Sequence, residues 1–200
     1  MSSPVIEQTA TRHIPPVAVS QTSTLVTRTG SWKSHQPVYH DRVAPCNQAC
    51  PVGIDIQGYM NLLRENRVDE ARDLLLAENP MPAVTGRVCH HPCENACNRR
   101  LMDGAVSIHA VERMMGSLPH VGVLHAPAAQ RTEPVAVVGS GPAGLACAYH
   151  LARLGYPVTV LEAATQAGGM LRLGIPEYRL PRAILDRDIA RIEAQGVTIR

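Results

Sequence analysis

Five cysteines in the first half of the chain are spaced for metal chemistry. Cys46 and Cys50 form C-x3-C followed by Pro51, and Cys89, Cys93 and Cys97 form C-x3-C-x3-C. A separation of four residues places side chains on one helical face, so each set predicts thiolates converging on a soft metal. Iron–sulfur clusters take thiolates, usually four each, and a proline directly after a ligand cysteine occurs in ferredoxin-type sites. Zinc is the alternative, with His40, His90, His91 and His109 nearby, although its usual pair is C-x2-C and neither pair has that spacing. Five buried free thiols are a third reading. The sixth cysteine, Cys147, lies between Ala146 and Ala148 and reads as a small core residue.

A second chemistry lies in VAVVGSGPAGLACAYHLARLGYPVTVLE, residues 135–162. The apolar run Val135 to Val138 predicts a short buried strand, and Gly139, Gly141 and Gly144 make a G-x-G-x-x-G turn. A helix follows with Leu145, Ala148, Leu151 and Leu154 on one face, then a strand from Pro157 to Leu161 that ends at Glu162. Gly139 permits the tight turn, Gly141 lets a pyrophosphate approach the backbone, and Gly144 lets the helix pack on the strand. The phosphates belong at the helix N-terminus, where amides are unpaired and the dipole is positive. Glu162 is placed to accept hydrogen bonds from ribose hydroxyls. A glycine-rich turn in an ordinary α/β unit would leave both the spacing and Glu162 unexplained.

These groups need elements to position them. Residues 1–35 are rich in Ser, Thr and Pro without sustained period and predict a flexible extension. Residues 36–118 read as a helical domain. Asp55 caps a helix through Ile56, Met60 and Leu63, and Val68, Ala71, Leu74 and Leu75 mark a second that stops before Pro80. Val106, His109, Val111 and Met114 suggest a third. Residues 119–133 form a linker, and the αβ pattern runs over 134–200, with a helix near 182–195 and a strand near 197–199. Only three strands fall in this last part, fewer than a doubly wound sheet uses. The fold class is therefore a helical metal domain followed by an incomplete Rossmann-like α/β domain, with a sheet edge that continuing chain or a partner would cover.

Composition narrows the function classes. The formal net charge is +2 with no basic block, which gives no indication of nucleic acid binding. No apolar run reaches membrane-span length, and the first residues lack a secretory signal, so a cytoplasmic protein is expected. Cysteines in such a compartment point to metal or redox chemistry rather than to disulfides.

With both features in view, the chain resembles the glutamate synthase small-subunit family, which includes the N-terminal part of dihydropyrimidine dehydrogenase and related NAD(P)H-dependent flavoproteins. The resemblance covers residues 43–200 and rests on APCNQACPVGIDI, NPMPAVTGRVCHHPCENAC, AVSIHAVE, the nucleotide motif and GGMLRLGIPEYRLPR, in that order. It implies that the helical domain carries [4Fe–4S] clusters, that the first nucleotide fold binds FAD, and that NAD(P)H binds in a second fold outside these residues. Carried over residue by residue, Cys50, Cys89 and Cys93 match three ligands of one cluster and Glu112 its fourth. Cys46 and Cys97 match two ligands of the other. That second cluster lacks two ligands, because Val38 and Asp41 stand where the family has a C-x2-C pair; His35 or His40 could replace one. One cluster is therefore favoured and two are possible, with Cys46 or Cys97 as an alternative fourth thiolate for the first. Gly139, Gly141, Ala143 and Gly144 match the phosphate loop of the flavin site and Glu162 its ribose acid. Gly169 and Met170 match backbone contacts, and Arg179 a basic residue near the flavin, although on its own Arg179 reads as a loop arginine paired with Glu177.

The expected role is that of an electron-transfer flavoprotein subunit, or a piece of one, passing electrons from NAD(P)H through FAD and the cluster to a partner subunit in a hetero-oligomer. It needs no acid–base or nucleophile set, and none is apparent. The rival expectation is a docking module of a larger oxidoreductase whose metal is structural.

Overall fold

The computed structural model describes residues 42–119 and 130–200. The predicted extension at 1–35, His35, Val38, His40, Asp41 and most of the 119–133 linker lie outside those residues.

Six short helices come first: α1 (Pro45–Ala49), α2 (Ile56–Arg64), α3 (Val68–Glu78), α4 (Pro82–Val88), α5 (Pro92–Asn95) and α6 (Ile108–Ser117), with a 3-10 turn at Asn98–Leu101 between the last two. Proline opens α1, α4 and α5, at the position where a missing N–H costs nothing. Asp55 caps α2 by accepting from the Gly58 amide at 2.9 Å. Helix α3 ends at Glu78, two residues before Pro80. On α6 the buried face is Ile108, Glu112 and Met115, whereas Met114 from the predicted stripe is 43% exposed. The predicted stripe had started at Val106, two residues ahead of the helix.

Helices α4 and α6 meet backbone to backbone. A Cβ at Gly86 would lie 2.6 Å from the Arg113 amide nitrogen, and one at Gly116 would lie 2.7 Å from the Pro82 carbonyl carbon. Only glycine permits this approach. It brings Cys89, at the end of α4, and Glu112, in α6, to the wall of one cavity.

The α/β part is a three-stranded parallel sheet in the order β1 (Val135–Val138), β2 (Val158–Leu161), β3 (Thr198–Ile199), with Val135 opposite Val158 and Thr159 opposite Thr198. Helix α7 (Pro142–Arg153) connects the first pair, and α8 (Met170–Leu173) and α9 (Arg182–Glu193) the second. Strand β1 is not buried as expected. Val138 is 86% exposed, and the strand pairs on one side only among the described residues. Helix α7 buries Leu145, Tyr149, Ala148 and Ala152, while Leu154 is 60% exposed because it caps the helix rather than packing. Cys147 is exposed, which corrects its reading as a core residue: it points away from the face that Leu145, Ala148 and Ala152 define. No described helix is long and apolar enough to cross a membrane.

Two hydrophobic clusters form. One, within the helical part, joins Ile56, Tyr59, Leu75, Ile108 and Met115. The other joins Leu145, Tyr149, Val160, Leu185 and Ile192 of the α/β part to Leu76, Met81 and Val84 from α3 and α4. The helical and α/β parts therefore share a core. Polar ties reinforce the seam: Tyr149 Oη donates to the Leu76 carbonyl at 2.8 Å, and Arg187 donates to the carbonyls of Gly116 and Ser117 at 3.0 and 3.1 Å. Asp188, wholly buried, accepts from the Val84 amide at 3.1 Å and pairs with Arg191 at 2.7 Å. Asp188→Ala leaves that amide unpaired and a buried guanidinium without its counter-charge, so it should destabilise the fold by about 3–5 kcal/mol. Chemical denaturation checks this, and a loss below about 1 kcal/mol, the range of an exposed pair, would contradict it.

Candidate functional site

Each of the five clustered cysteines sits at or near the end of a short element. Cys46 is the second residue of α1, and Cys50 follows that helix with extended backbone. Cys89 likewise ends α4 in extended conformation, Cys93 lies in α5, and Cys97 precedes the 3-10 turn. The four-residue spacing thus does not reflect one shared helical face, as expected from the sequence. The chain breaks between successive cysteines, and at His91 it adopts a left-handed conformation, φ 56°.

Cys50, Cys89, Cys93 and Glu112 line a single cavity, with His91, His109, Ile54, Ile108, Asn79 and Thr85 among its other walls. Cys46 and Cys97 do not line it; burial raises the Cys46 thiol with Cys97 adding to the effect, whereas backbone hydrogen bonding, chiefly at Val106, lowers the Cys97 thiol. Burial pushes the Cys93 thiol up to about 12, with Glu112 adding to the effect. Burial also pushes the Glu112 carboxyl up to about 7, against a hydrogen bond that Tyr59 Oη donates to Oε1 at 3.3 Å. Glu112 is 7% exposed and makes no ion pair with Arg113. A cavity that penalises its own anions is one that a cationic centre would complete.

The donor set fits an iron–sulfur cluster better than a single ion. In tetrahedral zinc, thiolate sulfurs sit about 3.8 Å apart, given Zn–S near 2.3 Å. Among the described residues, the set of three candidate ligands whose atoms all lie within 4.8 Å of one another is His91, Glu94 and His109, with no cysteine in it. No three of the described thiols come within that distance of one another, as a single tetrahedral ion would require. The His91 amide already donates to Cys89 Sγ at 3.3 Å, and His91 Nε2 is buried without a partner among the described residues. His109 Nδ1 meets Glu94 Oε1 at 2.7 Å, and the same oxygen accepts from the His109 amide at 2.9 Å.

The nucleotide loop is built as its glycines require. Gly139 has φ +90°, and a Cβ at Gly139 or Gly141 would meet nothing within 4 Å, so this backbone faces open space that a ligand can enter. Gly144 is the reverse, since its Cβ would strike the Gly139 carbonyl. Gly141 caps α7, and Ala143 on its first turn is exposed. The second glycine motif folds onto the first: a Cβ at Gly169, φ +49°, would lie 2.8 Å from Gly141 Cα. Met170 is 66% exposed beside it.

The sequence reading missed Ser140, which ties these parts together. It is fully buried, its amide donates to Glu162 Oε2 at 2.8 Å, its hydroxyl donates to the same oxygen, and its Oγ accepts from the Gly168 amide at 3.0 Å. The Ser140 hydroxyl, with the Ala164 and Ser140 amides, holds the Glu162 carboxyl down to about 2. Glu162 is therefore an oriented carboxylate at the end of β2. Only the G-x-G context marked Ser140, as the residue between the glycines. Tyr59, the partner of Glu112, carried no signal beyond helical period. Arg179 is exposed and makes no ion pair with Glu177 among the described residues.

Residues 38–119 match the family described as dihydropyrimidine dehydrogenase domain II, 4Fe-4S cluster, and residues 137–181 match an NAD(P)-binding Rossmann-like domain. The chain is similar to the NADPH-Fe(3+) oxidoreductase subunit beta of Geobacter sulfurreducens, 45% identical over 161 residues, which cover 78% of this chain and 24% of that protein. It is also similar to the NADP(+)-dependent formate dehydrogenase subunit beta of Moorella thermoacetica, 38% identical over 180 residues, 78% of this chain and 26% of that one. The NAD-dependent dihydropyrimidine dehydrogenase subunit PreT of Escherichia coli is 36% identical over 165 residues, 80% of this chain and 40% of that one. The chain thus spans between about a quarter and two fifths of the length of these relatives.

Proposed function

We propose that this chain, whose residues 38–119 match the dihydropyrimidine dehydrogenase domain II, 4Fe-4S family and whose residues 137–181 match an NAD(P)-binding Rossmann-like domain, is an electron-transfer subunit, or part of one, of a cytoplasmic FAD and iron–sulfur NAD(P)H oxidoreductase. The observation that carries this reading is the cavity that gathers Cys50, Cys89, Cys93 and Glu112. Those four residues would hold one [4Fe–4S] cluster, leaving Cys46 and Cys97 outside it or as remnants of a second. The nucleotide loop would hold FAD, with Gly139, Gly141, Ala143 and Gly144 at the pyrophosphate, Glu162 at the ribose, and Gly169, Met170 and Arg179 along the flavin side. When bound, the flavin supplies two-electron acceptance and the cluster one-electron transfer.

The chain's own residues place and insulate these groups. Ser140 orients Glu162 as a carboxylate, and Gly139 and Gly141 leave the phosphate approach clear. Ile54 and Ile108 keep water from the thiol cavity, and Tyr59 holds Glu112. NAD(P)H would bind elsewhere in the assembly, and a partner subunit would accept the electrons, as the subunit names of the relatives support.

Heat release of the bound ligand followed by chromatography tests the flavin reading. FAD is expected; NAD or NADP without flavin would overturn it. The docking-module reading is favoured by one observation, the Val38 and Asp41 positions that lack the family's thiolates. An anaerobic absorption spectrum separates the two. Broad brown iron–sulfur absorption supports electron transfer, and a colourless zinc protein supports docking.

A further inference from the structure

His91 and His109 form one wall of the thiol cavity, with Glu94 behind them, and the reading above gives none of the three a task. By distance alone they could hold a divalent cation, since one ligand atom from each lies within 4.8 Å of the others. The rings argue against it. Their centroids are 4.3 Å apart with planes tilted by 32°, a stack. A metal ion sits in the plane of each imidazole that binds it, about 2.1 Å from nitrogen. Stacked rings send their in-plane lone pairs side by side rather than to one point.

The contacts instead describe a positioned donor. Glu94 is an acceptor, so His109 Nδ1 donates to it, and the His109 amide donates to the same oxygen. His109 is thereby fixed, and His91 stacks on it. His91 Nε2 is buried in the cavity region and has no partner among the described residues, an arrangement that folded proteins avoid unless something else accepts the bond. The side-chain acceptors lining the cavity are the sulfurs of Cys50, Cys89 and Cys93 and the oxygens of Asn79, Thr85 and Glu112; Asn79 and Thr85 are bonded to one another at 2.7 Å, and Glu112 accepts from Tyr59. The His91 amide already points at one of the sulfurs, Cys89 Sγ, at 3.3 Å. Hydrogen bonds to cluster sulfurs are a main lever on reduction potential, because they favour the more negative, reduced form.

We propose that His91 donates a hydrogen bond from Nε2 to the sulfur of the cluster held by Cys50, Cys89, Cys93 and Glu112, and so raises its reduction potential, with His109 and Glu94 positioning the ring. This rests on the iron–sulfur reading above, and the experiment separates the two.

The protein is assembled anaerobically and titrated with EPR detection of the reduced cluster. His91→Asn is the chosen variant, because Asn tolerates the left-handed backbone at this position while its shorter side chain does not carry a donor as far. At fixed ambient potential the reduced-to-oxidised ratio should fall about tenfold, equivalent to about 59 mV for one electron, with iron content unchanged. His109→Leu should lower the ratio in the same direction by less. In unsubstituted protein labelled with 15N only in the histidine ring, pulsed EPR should show a nitrogen coupled to the reduced cluster, and His91→Asn should abolish that coupling. Ring-only labelling leaves out the His91 amide that faces Cys89, so absence of the coupling overturns the role even if the variant does not fold. A ratio changed by less than about twofold, or no 15N coupling in the unsubstituted protein, would overturn the role of His91. A protein that assembles no iron–sulfur cluster at all would overturn the underlying reading instead.

Discussion

Cys93→Ser should empty the cavity of iron and sulfide, taking iron from about four per chain to below about one, following the usual four-ligand rule. Cys93 is the one buried cysteine of the five, and both burial and Glu112 raise its thiol. Those forces work against a free thiolate and in favour of one compensated by metal. A serine oxygen in the same place is a harder and more weakly bound ligand for a soft iron centre. Cys147→Ser is the matched control. That side chain is exposed on α7, on the face away from the core, so iron content should not change. Colorimetric iron and sulfide on both variants checks the prediction. Full iron retention in Cys93→Ser would remove Cys93 from the ligand set.

Gly144→Val should cost about a hundredfold in affinity for FAD. Its Cβ would strike the Gly139 carbonyl, so α7 must lift from β1. Overpacking of this kind costs about 1–3 kcal/mol, and each 1.4 kcal/mol is about tenfold in binding when the displaced backbone is the binding surface. Gly141→Ala makes the useful contrast. A Cβ there meets nothing within 4 Å, so the fold should keep its stability while the ligand loses its approach. Flavin fluorescence titration and thermal unfolding, run on both variants, separate the two effects. Tight FAD binding by Gly144→Val would show that the loop is not the cofactor site.

The two chemistries were legible for different reasons. Gly139, Gly141 and Gly144 each answer a local steric demand, and a local demand is written in adjacent residues. The helix caps and stops at Asp55 and Pro80 were legible for the same reason. The cysteine spacing was legible as metal chemistry but not as geometry. Its period of four matched a helix, whereas α1 ends between Cys46 and Cys50, and α5 begins after Cys89 and ends before Cys97. What the sequence concealed is long-range. Tyr59 reaches Glu112 across 53 residues, and Asp188 reaches Val84 across 104. Neither pair has a local signature. Cys147 and Val138 were misjudged because apolar neighbours do not reveal which side of a strand or helix is covered. The seam between the helical and α/β parts was invisible for a related reason: Leu76, Met81 and Val84 look like internal residues of their own helices, yet they complete the core of the other part.

Mössbauer spectroscopy of protein assembled with 57Fe and sulfide tests the central claim most directly, because it reports the cluster and its ligands together. With Cys50, Cys89, Cys93 and Glu112 as ligands, the spectrum should resolve sulfide-bridged iron in which about one iron in four differs from the rest, the one bound by a carboxylate oxygen. Glu112→Cys should merge that distinct site with the other three. Iron without sulfide, or zinc retained in its place, would contradict the account.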